Sequence, residues 1–270
     1  MGGFLWQLIT IPFSHYCEKA RWALDLSGQP YQEQGYFPGA HLAATALRQR
    51  GKSVPVLITP TQCLTDSTDI LAFVARQQSN CGPRLFGNDA VMAKQITTLE
   101  ERFDEHLGPA TRLLAYHYLL AAPAQLSKFA GPGFGPLGRV CIGGVMRIIK
   151  PLIEKSYRIN EPRARTAADH IAAIFRDMEI LLDQNKNFLV SGQFSAADLT
   201  LAALAYPVLM WPEMIYRRDR GVMTDDPIDH VPSAFAEIVD KFRATAAGQH
   251  CRRVYLEFRR PSEKCDLPSS

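Results

Sequence analysis

The first eighty residues alternate short apolar runs with segments of helical spacing, and this alternation limits the possible folds more than any other feature of the chain. The apolar runs predict strands over 4–10, within "PYQEQGYF", over 54–59 and within "CLTD". Apolar residues three and four positions apart predict helices over 16–27, 40–50 and 67–78. The resulting order, β-α-β-α-β-β-α, indicates a small mixed sheet with helices packed against it.

The remainder of the chain predicts helices only. Gly, Pro and Asn in residues 79–89 mark a linker, so we expect one domain over 1–80 and an all-helical domain over 88–260. Ser195, with Asp198 three residues later, predicts a helix that begins with a partial capping box. Two apolar stripes have helical spacing: Ile96, Leu99, Phe103 and Leu107, and Ile171, Ile174, Phe175, Met178, Leu181 and Leu182.

Two later segments are expected to lie outside the packed core. The glycine-rich residues 131–144 lack the ending of a phosphate loop and predict a flexible insertion between helices. The arginines of "RRVYLEFRR" predict solvated helix faces.

The composition argues against several classes of protein. With 30 basic and 27 acidic residues the formal net charge is +3, which argues against nucleic acid as a partner. No apolar run reaches the roughly 18–20 residues that cross a bilayer, and the start lacks the basic region of a signal peptide. We therefore expect no membrane association and a cytoplasmic location. The six cysteines form no CxxC pair and no zinc-finger spacing, which predicts free thiols and no metal.

The segment "PFSHYCEKARWAL" (12–24) places a hydroxyl, an imidazole and a thiol where the first strand meets the first helix. Ser14 is either the N-cap of that helix or a hydrogen-bond donor to a bound sulfur. Cys17 is either a thiol activated by the first helical turn or a buried, inert cysteine, since position 14 holds no cysteine for a dithiol cycle. His15 is expected to be exposed.

Three more segments follow in order: "SVPVL" at the third strand, "TDSTDIL" at the third helix and "FSAADLTLAAL" (194–204) inside the helical domain. Together with "SHYCEKARWAL", they resemble the cytosolic glutathione transferase superfamily, of the type with a Ser or Cys active site. The resemblance implies an α/β thioredoxin-like N-terminal domain and an all-α C-terminal domain. It also implies glutathione as co-substrate, a small electrophile as second substrate, a role in detoxification and a homodimer.

The resemblance implies roles for individual residues. Ser14 would hold the glutathione sulfur as a thiolate, and Cys17 is a second catalytic candidate that could form a mixed disulfide with glutathione. The Val54–Pro55 bond would be cis, and Val54 would pair its backbone with the cysteinyl part of glutathione. The residues implied to bind glutathione are Phe13, Lys52, Val54, Pro55, Asp66 and Ser67, with Lys52 near the glycyl carboxylate and Asp66 near the α-ammonium.

The electrophile pocket is expected over Ser14, between the domains. Its expected walls are Pro12, Phe13, Arg112 and Tyr116. Arg112 and Tyr116 lie one helical turn apart and so share a face, although ordinary helix packing explains them equally well. The insertion around 125–160 and the tail beyond about 245 are expected to determine which acceptor substrate binds. Two other functions stay open: a glutathione-dependent thiol oxidoreductase that uses Cys17, and a non-catalytic binding protein.

Overall fold

The computed structural model describes residues 5–46, 53–77, 83–130, 135–185, 187–215 and 226–259. A four-stranded sheet has the order β2-β1-β3-β4, in which β1 pairs with β2 in parallel and the other neighbours are antiparallel. Its elements, in chain order, are β1 (Trp6–Thr10), α1 (His15–Ser27), β2 (Tyr31–Gly35), α2 (Ala40–Ala46), β3 (Val56–Ile58), β4 (Cys63–Leu64) and α3 (Ser67–Gln77). The predicted element order is confirmed.

Helices make up most of the rest of the described chain. These are α4 (Ala90–Arg102), a π-helical segment (Phe103–Leu107), α5 (Gly108–Leu119), α6 (Pro123–Ala130), α7 (Gly135–Tyr157), α8 (Glu161–Gln184), α9 (Ala196–Leu209), α10 (Ser233–Arg243), α11 (Ala246–Phe258) and two 3₁₀ turns (Pro212–Ile215 and Pro227–His230). The predicted thioredoxin-like domain followed by an all-helical domain is confirmed. Within the described ranges, no helix is long and apolar enough to cross a membrane.

Local signals fix several helix ends as the sequence predicts. Gly28 ends α1 with φ 68°, a left-handed conformation that glycine adopts without steric cost. At the start of α9, the Asp198 carboxylate accepts from the Ser195 N–H at 2.9 Å and from the Leu189 N–H at 3.0 Å. The Ser195 hydroxyl donates to the same buried carboxylate at 2.8 Å, and His250 Nε2 lies 2.9 Å from it. Asp198 therefore joins α9 to α11 as well as capping α9.

Two predictions about the helical domain are wrong. Residues 135–144 begin α7, a helix of 23 residues, instead of forming a flexible insertion; residues 131–134 lie outside the described part of the chain. Arg259 is buried rather than solvated, because it pairs with Glu18 and Asp25 of α1, each at 2.7 Å. In both cases packing overrides the local composition.

Helix α1 packs against both parts of the molecule. It contacts α3 on the sheet side and α9 on the helical side. Trp22 of α1 is fully buried, donates its indole N–H to the Phe258 carbonyl at 3.1 Å and lies 4.4 Å from the Tyr255 ring. Trp22 therefore packs the middle of α1 against the helical domain.

Candidate active site

Two clefts lie beside the N-termini of α1 and α3. The polar cleft, of about 460 Å³, is lined by Tyr16, Ser53, Val54, Pro55, Thr65, Asp66, Ser67, Thr68, Glu101, Asp104, Glu105 and Arg112. The apolar cleft, of about 390 Å³, is lined by residues of the β1–α1 loop, α2, α5 and α7. Four residues line both clefts: Tyr16, Ser53, Val54 and Arg112. The two clefts therefore adjoin.

The loop between β1 and α1 is held in place by one arginine. Arg21 donates to the Pro12 carbonyl over 2.6 Å and pairs with Glu18 at 2.6 Å and Glu33 at 2.8 Å. Hydrogen bonds between charged groups are stronger than neutral ones. They fix the backbone that presents Ser14 at the start of α1.

Ser14 stands at the N-cap position of α1 with an extended backbone, φ −77° and ψ 126°. Its N–H donates to the Ile11 carbonyl at 2.9 Å, and its own carbonyl accepts from the Glu18 N–H at 2.9 Å. The side chain makes no capping hydrogen bond and lines the apolar cleft. The Ser14 backbone therefore starts the helix without a capping bond from the hydroxyl, which stands at a helix N-terminus, where negative charge is favoured.

Cys17 takes no part in either cleft. Its side chain is fully buried, and burial raises the pKa of its thiol to about 11, against smaller opposing effects from Arg21, the Ile11 backbone and the Ser14 hydroxyl. Since the thiolate is the reactive form, this thiol is protonated near neutral pH. The geometry gives no support to Cys17 as a catalytic residue; it fits the alternative of a buried, inert cysteine.

The expectation that His15 is exposed is wrong. The imidazole is 4% exposed, and its Nε2 lies 3.0 Å from the Gly108 carbonyl. Burial, helped by the nearby positive charge of Arg112, lowers the pKa of His15 to about 3. The imidazole is therefore neutral at physiological pH and serves to join α1 to α5.

The start of β3 and the N-terminus of α3 meet in the polar cleft. The Val54–Pro55 peptide bond is cis, as the resemblance implies, and both residues line this cleft. Asp66 accepts from the Thr68 N–H at 2.8 Å, so it caps α3, while Ser67 is 2% exposed. Lys52, the expected partner of the glycyl carboxylate, lies outside the described residues.

Three of the four expected walls line the apolar cleft: Phe13, Arg112 and Tyr116. Pro12 is not among the residues that line this cleft; its ring lies next to Gly35, where an added Cβ would be 2.9 Å from the proline Cγ, and its role as a wall stays a prediction. Tyr116 is partly buried, and burial raises the pKa of its phenol to about 12.

Tyr157 of α7, which the sequence analysis does not predict as a site residue, also forms part of this wall. Its ring lies 5.9 Å from the ring of Tyr116, and the Arg112 guanidinium lies 4.4 Å from its centroid. Helical spacing of the apolar residues Ile149, Ile153 and Tyr157 was the available signal, but the preceding glycines obscured it. Among the described residues, no group of three or more His, Cys, Asp or Glu side chains is arranged to hold a metal ion.

The first domain of the chain is similar to a known protein family. Residues 8–83 match the family model described as "Glutathione S-transferase, N-terminal domain". No curated protein matches the sequence. The match shows that the first domain is similar to a glutathione S-transferase N-terminal domain, in agreement with the resemblance that the sequence motifs indicate.

Solved structures share the fold over nearly the whole chain. A structure of glutathione S-transferase III in apo form is 16% identical, covers 99% of this chain and 100% of its own, and has a TM-score of 0.54. Glutathione transferase F7 from Populus trichocarpa is 12% identical, with coverage of 92% and 98% and a TM-score of 0.54. A glutathione S-transferase from Rhodospirillum rubrum F11 is 16% identical, with coverage of 92% and 91% and a TM-score of 0.54.

Proposed function

We propose that this protein is a glutathione transferase. Glutathione would lie in the polar cleft with its sulfur held as a thiolate at Ser14, and a small electrophile would lie in the apolar cleft. One observation carries the proposal: the Ser14 hydroxyl makes no capping hydrogen bond to the helix it begins, and Ser14 lines the apolar cleft, which adjoins the polar one. A glutathione transferase activity also agrees with the match of residues 8–83 to a glutathione S-transferase N-terminal domain.

The energetics of a thiolate fit this arrangement. A free thiol has a pKa near 8.5, so lowering it by about 2 units requires about 2.7 kcal/mol in favour of the anion. One hydrogen bond to a charged group supplies about 1.5–3 kcal/mol, and a helix N-terminus adds about 0.3–1 kcal/mol. The Ser14 hydroxyl and the start of α1 therefore suffice together, without a metal.

The polar cleft has suitable partners for the rest of the tripeptide. We propose that the α-ammonium lies at Asp66, and that the α-carboxylate accepts from the N-terminus of α3 beside Ser67. Val54 would pair its N–H and C=O with the cysteinyl part, as an added strand does. Pro55 and Phe13 would pack beside it, and Lys52 would reach the glycyl carboxylate.

The proposed reaction is a nucleophilic substitution or addition. With a halogenated nitroaromatic, the thiolate attacks the ring carbon that carries the halogen. A C–S bond forms, the carbon–halogen bond breaks, and the halide leaves with the bonding electrons. The protein supplies the charge stabilisation at sulfur and the positioning of both reactants.

Calorimetric titration with glutathione, followed by turnover of 1-chloro-2,4-dinitrobenzene, tests the proposal. We expect binding together with turnover above the uncatalysed rate. Binding without turnover on a panel of electrophiles would instead identify a non-catalytic binding protein. Failure to bind glutathione would remove the function and leave only the fold.

Replacing Cys17 by serine separates the transferase from the oxidoreductase. We expect the conjugation rate of Cys17→Ser to stay within about threefold of the wild type, because the buried thiol touches neither cleft. Assays of disulfide reduction and of conjugation on the same preparations provide the measurement. If a thiol–disulfide activity exists and vanishes in this variant while conjugation is absent, the oxidoreductase is the correct function.

We also propose a cytoplasmic homodimer that acts in detoxification, as is usual in the superfamily. The sheet domain of one chain would lie against the helices of the other. Light scattering of the purified protein measures the mass directly; a value near 30.1 kDa, the mass of one chain, would contradict the dimer.

A further inference from the structure

The apolar cleft contains one permanent charge among its described lining residues, and that charge is positive. No Asp or Glu of the described chain lines this cleft, whereas Arg112 does. Of the histidines there, His15 is neutral because burial lowers its pKa to about 3. The remaining walls include leucine, isoleucine and aromatic side chains from three helices: Leu119, Leu126, Ile149, Ile153 and Tyr116.

Arg112 is held by aromatic rings alone. Its guanidinium lies 4.4 Å from the centroid of Tyr157 and 5.8 Å from that of Tyr16. Neither an ion pair nor a hydrogen bond joins its side chain to another residue in the described part of the chain. Aromatic faces attract a cation but accept none of its five N–H groups in the way that a carboxylate does.

A partly buried guanidinium without an acceptor favours an anionic ligand. Leaving its donors unpaired is costly, and a planar carboxylate can take two of them at once. In the polar cleft, by contrast, Asp66, Asp104 and Glu105 supply negative charge. Arg112 therefore attracts an acid group in the apolar cleft, and no carboxylate on the described walls of that cleft repels it.

We infer that the second substrate is an electrophile that combines an apolar body with a carboxylate. The apolar body lies between α5 and α7, and the carboxylate accepts two hydrogen bonds from Arg112. This inference deepens the proposed function and rests on it, but the selectivity of the cleft for an acid can be measured without any turnover.

Two unreactive probes of the same shape test the charge preference: 2-naphthoate and 2-naphthamide. Calorimetry with the full chain, with and without saturating glutathione, is expected to show naphthoate binding at least about tenfold more tightly than the amide. In Arg112→Gln this ratio is expected to fall below about threefold. Arg165→Gln is the matched control, because Arg165 lies on α8 with its side chain 77% exposed, and its ratio should equal that of the wild type.

Kinetics on a second pair, 4-chloro-3-nitrobenzoate and its methyl ester, extends the test to reacting substrates. We expect Arg112→Gln to raise the ratio of KM for the acid to KM for the ester by about tenfold or more. Selective binding of naphthoate without turnover of either compound supports the acid selectivity of the cleft and contradicts the transferase. Equal binding of both probes overturns the inference, even if the ester is turned over. An unchanged probe ratio with weaker glutathione binding in Arg112→Gln also overturns it, because Arg112 then belongs to the glutathione site.

Discussion

An alanine at position 14 is expected to lower kcat/KM for conjugation by about 10- to 100-fold. The substitution removes one hydrogen bond to a thiolate, worth about 1.5–3 kcal/mol, and each 1.36 kcal/mol is a factor of ten in rate. The backbone bonds of residue 14, from its N–H to Ile11 and from Glu18 to its carbonyl, do not involve the hydroxyl. Because the side chain makes no capping bond, the loss of stability should be small.

The pH dependence separates an effect on the thiolate from a general loss of activity. Without the hydroxyl, the pKa of bound glutathione should rise toward its free value. The deficit of Ser14→Ala should therefore be largest near pH 6.5 and shrink toward pH 9, where both proteins hold the thiolate. Profiles of kcat/KM against pH for glutathione provide the measurement.

Ser156→Ala is a matched control, because Ser156 also lines the apolar cleft but lies on α7, away from the start of α1. Its rate should stay within about threefold of the wild type, whereas Ser14→Thr, which keeps a hydroxyl, should recover part of the activity lost in the alanine variant. An unchanged rate for Ser14→Ala, or a deficit that is the same at every pH, would remove Ser14 from the mechanism.

The sequence predicts best those features that short segments decide by themselves. Gly28 ends α1 because its φ of 68° is unfavourable for other residues, and the Ser195–Asp198 pair starts α9 through bonds three residues apart. The strand–helix order of the first domain depends on similarly local patterns. In the candidate site, Phe13, Val54 and Asp66 follow from the resemblance and do line the clefts.

The errors concern residues whose environment comes from distant parts of the chain. His15 is buried because it meets Gly108, 93 positions away, and Arg259 is buried because it meets Glu18, 241 positions away. A pattern of neighbouring residues cannot predict contacts with residues so far away in the chain. For α7, glycine lowers helix propensity by about 1 kcal/mol per residue, a cost that packing offsets.

A methionine in place of Lys19 is expected to destabilise the protein by about 3–5 kcal/mol, the usual cost of removing one member of a buried ion pair. Lys19 is fully buried on α1, where its ammonium contacts Glu100 of α4 and lies 2.9 Å from Asp104 and 3.0 Å from Thr68. Methionine is similar in length, so the main change is electrostatic. Urea unfolding measures the effect, with the exposed Lys94→Met on α4 as control, expected within about 0.5 kcal/mol.

The network of hydrogen bonds and ion pairs that joins Lys19, Glu100, Asp104 and Thr68 also borders the polar cleft. The Thr68 hydroxyl lies 2.6 Å from the Asp104 carboxylate, and the Tyr16 hydroxyl donates to the Asp104 carbonyl at 2.9 Å. All three residues line that cleft. Lys19→Met should therefore weaken glutathione binding as well as folding, whereas Lys94→Met should change neither.

The buried charge of Glu100 gives the loss of stability a distinct pH dependence. Burial raises the pKa of Glu100 although Lys19 opposes the rise, and the Glu100 Oε2 atom has no hydrogen-bond partner in the described structure. A raised pKa means that protonation favours the folded state, so the deficit of Lys19→Met should be greatest near pH 8 and shrink as the pH falls toward the pKa of Glu100. Neutralising Glu100 as well, in Lys19→Met/Glu100→Gln, should then recover about half of the loss or more. The losses of stability in Lys19→Met alone and Glu100→Gln alone are compared with the loss in the double variant. If the two single losses simply add at every pH, then Lys19 contributes through packing of its methylene groups and not through its charge.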